Sequence, residues 1–249
     1  MIAPNEEEVK AGEQNSIPPV LPILPIGDIV VYPFMVFPIA VPADEARTKL
    51  IDEAAAADKM VGLFAQSKQT DQPSFDDFYR VGTAATIVRM LKLPDGTIQA
   101  LLQGRSRVRM SESVQTEPYL KATVEELSDQ LEDTVELKAL QRNATTLFEK
   151  MIALATNSSQ EIGAALATIQ EPSKLADFMA ANTNLSLGER QELLETLNVT
   201  ERFRKLTSLL NREVEILEIG NKIQSQVKDE MDKAQRDYYL REQLKAIQK

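Results

Sequence analysis

Fifty residues at the end of this 249-residue chain, Thr200 to Lys249, contain no proline and one glycine, Gly220. They are dense in Leu, Glu, Lys, Gln and Arg, the residues that lose least on entering a helix. One continuous helix of this length would run roughly 75 Å, more than a domain of this size covers with its own core, so part of it must project. Its apolar positions Ile216, Ile219, Ile223, Val227, Met231, Ala234 and Tyr238 fall in steps of three and four, a narrow stripe on a charged rod. Such a stripe calls for a partner. Ile223, Val227, Met231 and Tyr238, with Leu240 and Leu244 beyond, are the expected lever or intersubunit contacts. The spacing is not a strict heptad, so a crossing of limited length is expected instead of a long coiled coil. No Gly, Asn or Pro stop signal follows Tyr238, and the expectation is a continuation into a further module.

Charge and composition narrow the function classes. Residues 1–199 hold 17 basic against 29 acidic groups, net −12, and residues 200–249 hold 11 against 9, net +2. An acidic body makes nucleic acid an unsuitable main partner. The chain has neither cysteine nor histidine, which excludes disulfides, thiolate or imidazole metal sites, and Ser-His or Cys-His nucleophiles within it. There is no 18-residue apolar run, and Met1 to Ser16 is acidic and polar. The reading is a disordered leader over 1–16, no membrane anchor, and a cytoplasmic location.

The fold class expected is α+β. Residues 17–127 read as one mostly antiparallel β domain with a single helix. Six prolines between Ile17 and Val41 break the first strands into short, bent pieces suited to a small barrel. A helix opens over Pro42–Arg47 and runs to about Ala57, Met60 to Ala65 is a buried strand, and Pro94-Asp95-Gly96 turns a hairpin between strands Val81–Leu93 and Thr97–Gly104. Arg105 to Val114 and Tyr119 to Leu127 supply two more strands. From Thr134 the period becomes helical, and 128–199 reads as a helical bundle. Caps are expected near Ser158, and Ser186 with Glu189 has capping-box spacing. Residues 200–249 form the long helix.

Candidate sites are few. Phe34, Met35 and Phe37 lie in the richest apolar run, either as core or as a surface patch for unfolded chains. Arg105, Arg107 and Arg109 alternate on one strand face, read as solvated counter-charges, with a phosphate or acidic-peptide site as the alternative. Asp76-Asp77 lacks the paired spacing of acid–base catalysis. No G-x-x-x-x-G-K-[ST] phosphate loop occurs. No catalytic, cofactor or metal residue is therefore assigned.

Three blocks together resemble the N-terminal region of the ATP-dependent Lon proteases. The first is Leu21-Pro22-Ile23-Leu24-Pro25-Ile26-Gly27-Asp28-Ile29-Val30-Val31-Tyr32-Pro33, with Gly27 where that family usually has a basic residue. The second runs from Gly82-Thr83-Ala84 through Leu93-Pro94-Asp95-Gly96 to Gly104-Arg105-Ser106-Arg107-Val108. The third, Gln224-Ser225-Gln226-Val227 with Gln235-Arg236-Asp237-Tyr238-Tyr239-Leu240-Arg241-Glu242-Gln243-Leu244-Lys245-Ala246-Ile247-Gln248-Lys249, is the most specific. The resemblance implies a PUA-like β domain, a helical bundle and a long helix leading to an ATPase module. It further implies a homohexameric protease with a Ser-Lys dyad, ATP and Mg belonging to the full-length protein, and unfolded or damaged proteins as partners. The family's phosphate-loop lysine and catalytic serine and lysine map to no residue here. This region's implied role is non-catalytic substrate recognition and assembly. The competing reading is a stand-alone binding adaptor that shares the β domain.

Overall fold

Strand β3, Met60–Phe64, is buried along its whole length, and the sheet is built around it. Val61 and Leu63 join one apolar cluster, Met60 and Phe64 the other. Alternate residues of a strand face opposite ways, so a strand buried on both faces carries no polar alternation. The structure is a computed structural model that describes residues 16–68, 70, 73–155 and 159–247.

Around β3 run β1 (Val20–Pro25), β2 (Val36–Val41), β4 (Val81–Lys92), β5 (Ile98–Gln115) and β6 (Lys121–Leu127). The strand order is β2-β5-β4-β3-β1-β6, and β6 also pairs with β5. Five strands therefore close a ring, while β2 adds to the first half of β5 outside it. Among the six described strands only β1 and β3 pair in parallel, and the other strand pairings are antiparallel. The strands expected at Thr97–Gly104 and Arg105–Val114 are one long strand, β5. Register shifts in its pairings with β4 and β6 let it bend from one neighbour to the next.

Helix α1, Glu45–Ala56, starts where Asp44 caps it, the Arg47 N–H donating to Asp44 Oδ2 at 3.3 Å. Leu50, Ile51 and Ala54 bury against the first cluster, the two larger side chains contributing about 1.5–3 kcal/mol each. The sheet unit comprises the chain up to Gln130 and returns for Leu185–Asn198. Helix α5 (Leu187–Glu195) is thereby grouped with the sheet, whereas the sequence reading placed it in the bundle. Its Ser186–Glu189 capping box forms as expected. Three polar bonds seat it: Tyr32 Oη to Arg190 O, Arg107 Nε to Leu194 O and Gln191 Nε2 to Val81 O, each 2.9 Å.

The helical unit spans 131–184 and 199 onward. It contains α2 (Val135–Leu154), α3 (Ser159–Thr168), α4 (Pro172–Ala181) and α6 (Val199–Ile247). The cap expected at Ser158 lies outside the described residues. Val199, Phe203, Leu206, Leu210 and Val214 of α6 are buried, facing α2 and α4. Phe148 meets Phe178 edge to face at 6.2 Å between centroids. Arg202, fully buried, reaches Asp177 Oδ1 and Ser173 Oγ at 3.2 Å, a desolvated ion pair that fixes how α4 sits on α6.

Candidate functional site

The chain enters β2 through a backbone that most side chains avoid. Phe34 sits at φ 65°, in the left-handed region where a bulky residue is strained. It is held there by its own N–H donating to Gly104 O at 3.0 Å and by Gly104 N–H donating to Met35 O at 2.9 Å. Gly104 permits this approach because a Cβ there would lie 2.6 Å from Tyr32 O. The Phe34 side chain is 48% exposed. Met35 is half-buried, and Phe37 packs against the first core cluster. The three residues grouped by sequence therefore do not share one surface.

Register extends the exposed face across three strands. Val36, Pro38 and Ala40 of β2 point outward. On β5 they pair with Gln103, Leu101 and Gln99. Those in turn pair with Thr86, Arg89 and Leu91 on β4. Val88, 55% exposed, stands at a β4 irregularity, and Leu91, paired with Gln99, is 56% exposed. Sequence reasoning missed Val88 and Leu91. Its only signal was that Ile87 to Leu91 is too apolar for a strand with one wet face. Pro38 has no N–H to offer at the free edge of β2, so that edge is blunted against strand addition and the exposed side chains are what remain to bind with.

On α6, Ile216, Ile219, Ile223, Val227 and Met231 are all between 50% and 67% exposed. Cover from α2 ends where Asn221 Nδ2 donates to Leu154 O at 3.3 Å and Lys150 pairs with Glu218 at 2.7 Å. The side chains of Tyr238, Leu240 and Leu244 lie outside the described residues.

The arginine row is split. Arg107 is buried, with Nη1 3.4 Å from Asp129 and Nε on Leu194 O, while Arg109 is exposed. The expected solvated face is corrected at that position: Arg107 points at the C-terminal turn of α5, where a cation complements the helix dipole. Asp76 and Asp77 are structural too. Asp76 pairs with Arg80 at 2.7 Å. Hydrogen bonds from the Ser74 hydroxyl and backbone N–H hold Asp77 below its ordinary carboxylate pKa.

Among the described residues no group of three or more acidic side chains could hold a metal ion. No described helix is long and apolar enough to cross a membrane.

Comparison with known proteins agrees with this architecture. Residues 20–212 match the family model of the ATP-dependent protease La (LON) substrate-binding domain. A Lon protease of Dictyoglomus thermophilum is 46% identical over 98% of this chain, and one of Roseiflexus castenholzii is 43% identical over 94%. The chain spans only 31% and 28% of those relatives' lengths. Among solved structures, the N-terminal domain of a Mycobacterium avium complex Lon protease aligns with TM-score 0.62 and 28% identity, covering 77% of this chain and 98% of that one. A Xanthomonas campestris Lon N-terminal domain protein, 18% identical with TM-score 0.57, covers 76% of this chain and 97% of that one and shares the fold. An exposed apolar strand face, a closed ring, a helical unit and a long α6 thus come together in one chain, and that chain belongs to the Lon substrate-binding domain family.

Proposed function

We propose that this chain is the non-catalytic substrate-recognition and assembly region of an ATP-dependent Lon-type serine protease. It binds exposed apolar segments of damaged, misfolded and selected regulatory proteins and does not cleave them itself. The observation that carries this reading is the outer face of β2, β5 and β4, where Phe34, Val36, Val88 and Leu91 are each about half exposed. Unfolded chains expose the apolar groups that folded ones bury, and half-exposed apolar side chains take them up at about 25 cal/mol per Å² before association costs. Phe34 adds support, since strain at an exposed aromatic points to a binding role. Assembly falls to the α6 stripe, which meets equivalent helices of neighbouring copies in a cytoplasmic homohexamer, with ATP and Mg acting in other modules.

The double variant Val88→Asp/Leu91→Asp tests the binding half. Both side chains are exposed, so the melting temperature should stay within about 2 °C of the parent. Affinity for a reduced, alkylated unfolded protein should fall about tenfold. Unchanged affinity in a folded variant would remove this face from the reading.

A further inference from the structure

The sheet unit contains a second concave feature that shares no lining residue with the strand face. It is a cleft of about 630 Å³ between β1, α1, the 3-10 turn Phe75–Asp77 and the turn joining β5 to β6. Ile23, Leu50, Phe78 and Leu120 are the buried apolar groups of its floor. Phe75 forms one wall, fixed by the Arg80 guanidinium 4.2 Å above its ring, with Arg80 itself held by Asp76. Tyr119 forms the other; its hydroxyl donates to the Glu53 carboxylate, and Lys121 Nζ lies 3.6 Å from Glu53. Size and lining are those of a site for an organic side chain, not of a packing defect.

Charge among the lining residues is net acidic, two carboxylates to one base. Asp44 is half exposed, and Glu117 is exposed with no hydrogen bond or ion pair among the described residues. Arg47 is the one base among the described lining residues, and its Nε lies 4.0 Å from Asp44. The positive end of α1 is already capped by Asp44, so it offers little to an anion. The field behind the rim agrees. The described residues of the sheet unit, within 16–130 and 185–198, hold 12 basic against 17 acidic groups, net −5. A cleft with acidic rims on an acidic body concentrates cations.

We propose that this cleft seats one bulky apolar side chain of an unfolded polypeptide whose sequence neighbours are Lys or Arg, with Asp44 and Glu117 reading the cation. This deepens the reading of the chain as a substrate-binding region and rests on it. Recognition then has two parts: a strand face indifferent to charge and a cleft that ranks apolar segments by their flanks.

The test uses three fluorescent peptides with one apolar core and Lys, Ser or Glu flanks, titrated into the whole chain at low salt. The Lys-flanked peptide should bind about five- to tenfold tighter than the Glu-flanked one, with the Ser-flanked peptide between and the difference shrinking as salt rises. Asp44→Ser/Glu117→Gln keeps a good helix cap and should bring the three peptides within about twofold. Circular dichroism of the variant confirms the fold. No flank preference in the parent, or a preference that survives Asp44→Ser/Glu117→Gln, overturns the cleft proposal and leaves the strand face standing. Failure of all three peptides to bind the parent overturns both.

Discussion

At the scale of single residues, Phe34 separates binding from packing most cleanly. Left-handed backbone costs a bulky residue about 1–3 kcal/mol, and Phe34 sits there at φ 65°. Phe34→Gly removes that strain together with a half-exposed ring, so the melting temperature should hold or rise slightly while affinity for unfolded protein falls severalfold. Phe37→Ser removes a ring packed on the core cluster and should cost about 2–4 kcal/mol. Thermal melts and titrations of the two variants decide this. Equal loss of stability in both would make Phe34 a core residue. The sequence placed Phe34, Met35 and Phe37 in one apolar run, and composition could go no further. Their sorting depends on register against β5 and on the approach at Gly104, which bring together residues about seventy positions apart. Arg107 was hidden for the same reason, because its partner Leu194 O lies 87 residues along the chain.

At the scale of elements, α6 was nearly fully legible. The expected start at Thr200 is one residue from the observed Val199. Which apolar residues bury was not legible, since Phe203, Leu206, Leu210 and Val214 bury with the same three-and-four spacing by which Ile219, Ile223 and Val227 stand exposed. At about 3.6 residues per turn the second set lies on the other side of the helix from Val214, and period alone does not report which of two apolar faces is covered. Helix α5 was read correctly as a helix from its cap. Its grouping with the sheet rests on Tyr32, Arg107 and Gln191, whose contacts no local pattern announces. An uncovered stripe gives a prediction at this scale. Met231→Asp, in a full-length Lon-type protein carrying this region, should leave the chain's own stability within about 0.5 kcal/mol. Hexamer population or substrate degradation should fall further than basal ATP hydrolysis. Sedimentation and degradation assays matching the parent would show that the stripe is not an intersubunit contact.

At the scale of the whole molecule, charge divides unevenly between the two units. The described residues of the sheet unit carry −5, while residues 131–184 and 199–249 hold 15 basic against 16 acidic groups, net −1. The proposed capture of apolar, basic segments fits the acidic sheet unit, and the proposed self-association fits the near-neutral helical unit, which carries little self-repulsion. The sequence alone revealed this asymmetry only in part, because the boundary it suggested assigned the acidic α5 to the bundle. Recognition of unfolded protein by the sheet unit is best tested by site mapping: an unfolded protein bearing photo-crosslinking groups is irradiated with the whole chain, and the labelled residues are identified by mass spectrometry. Label should concentrate on Phe34, Val36, Val88, Leu91 and the cleft around Phe75, and the natively folded form of the same protein should give little. Label confined to the helical unit, or equal from the folded and unfolded forms, would contradict recognition by the sheet unit.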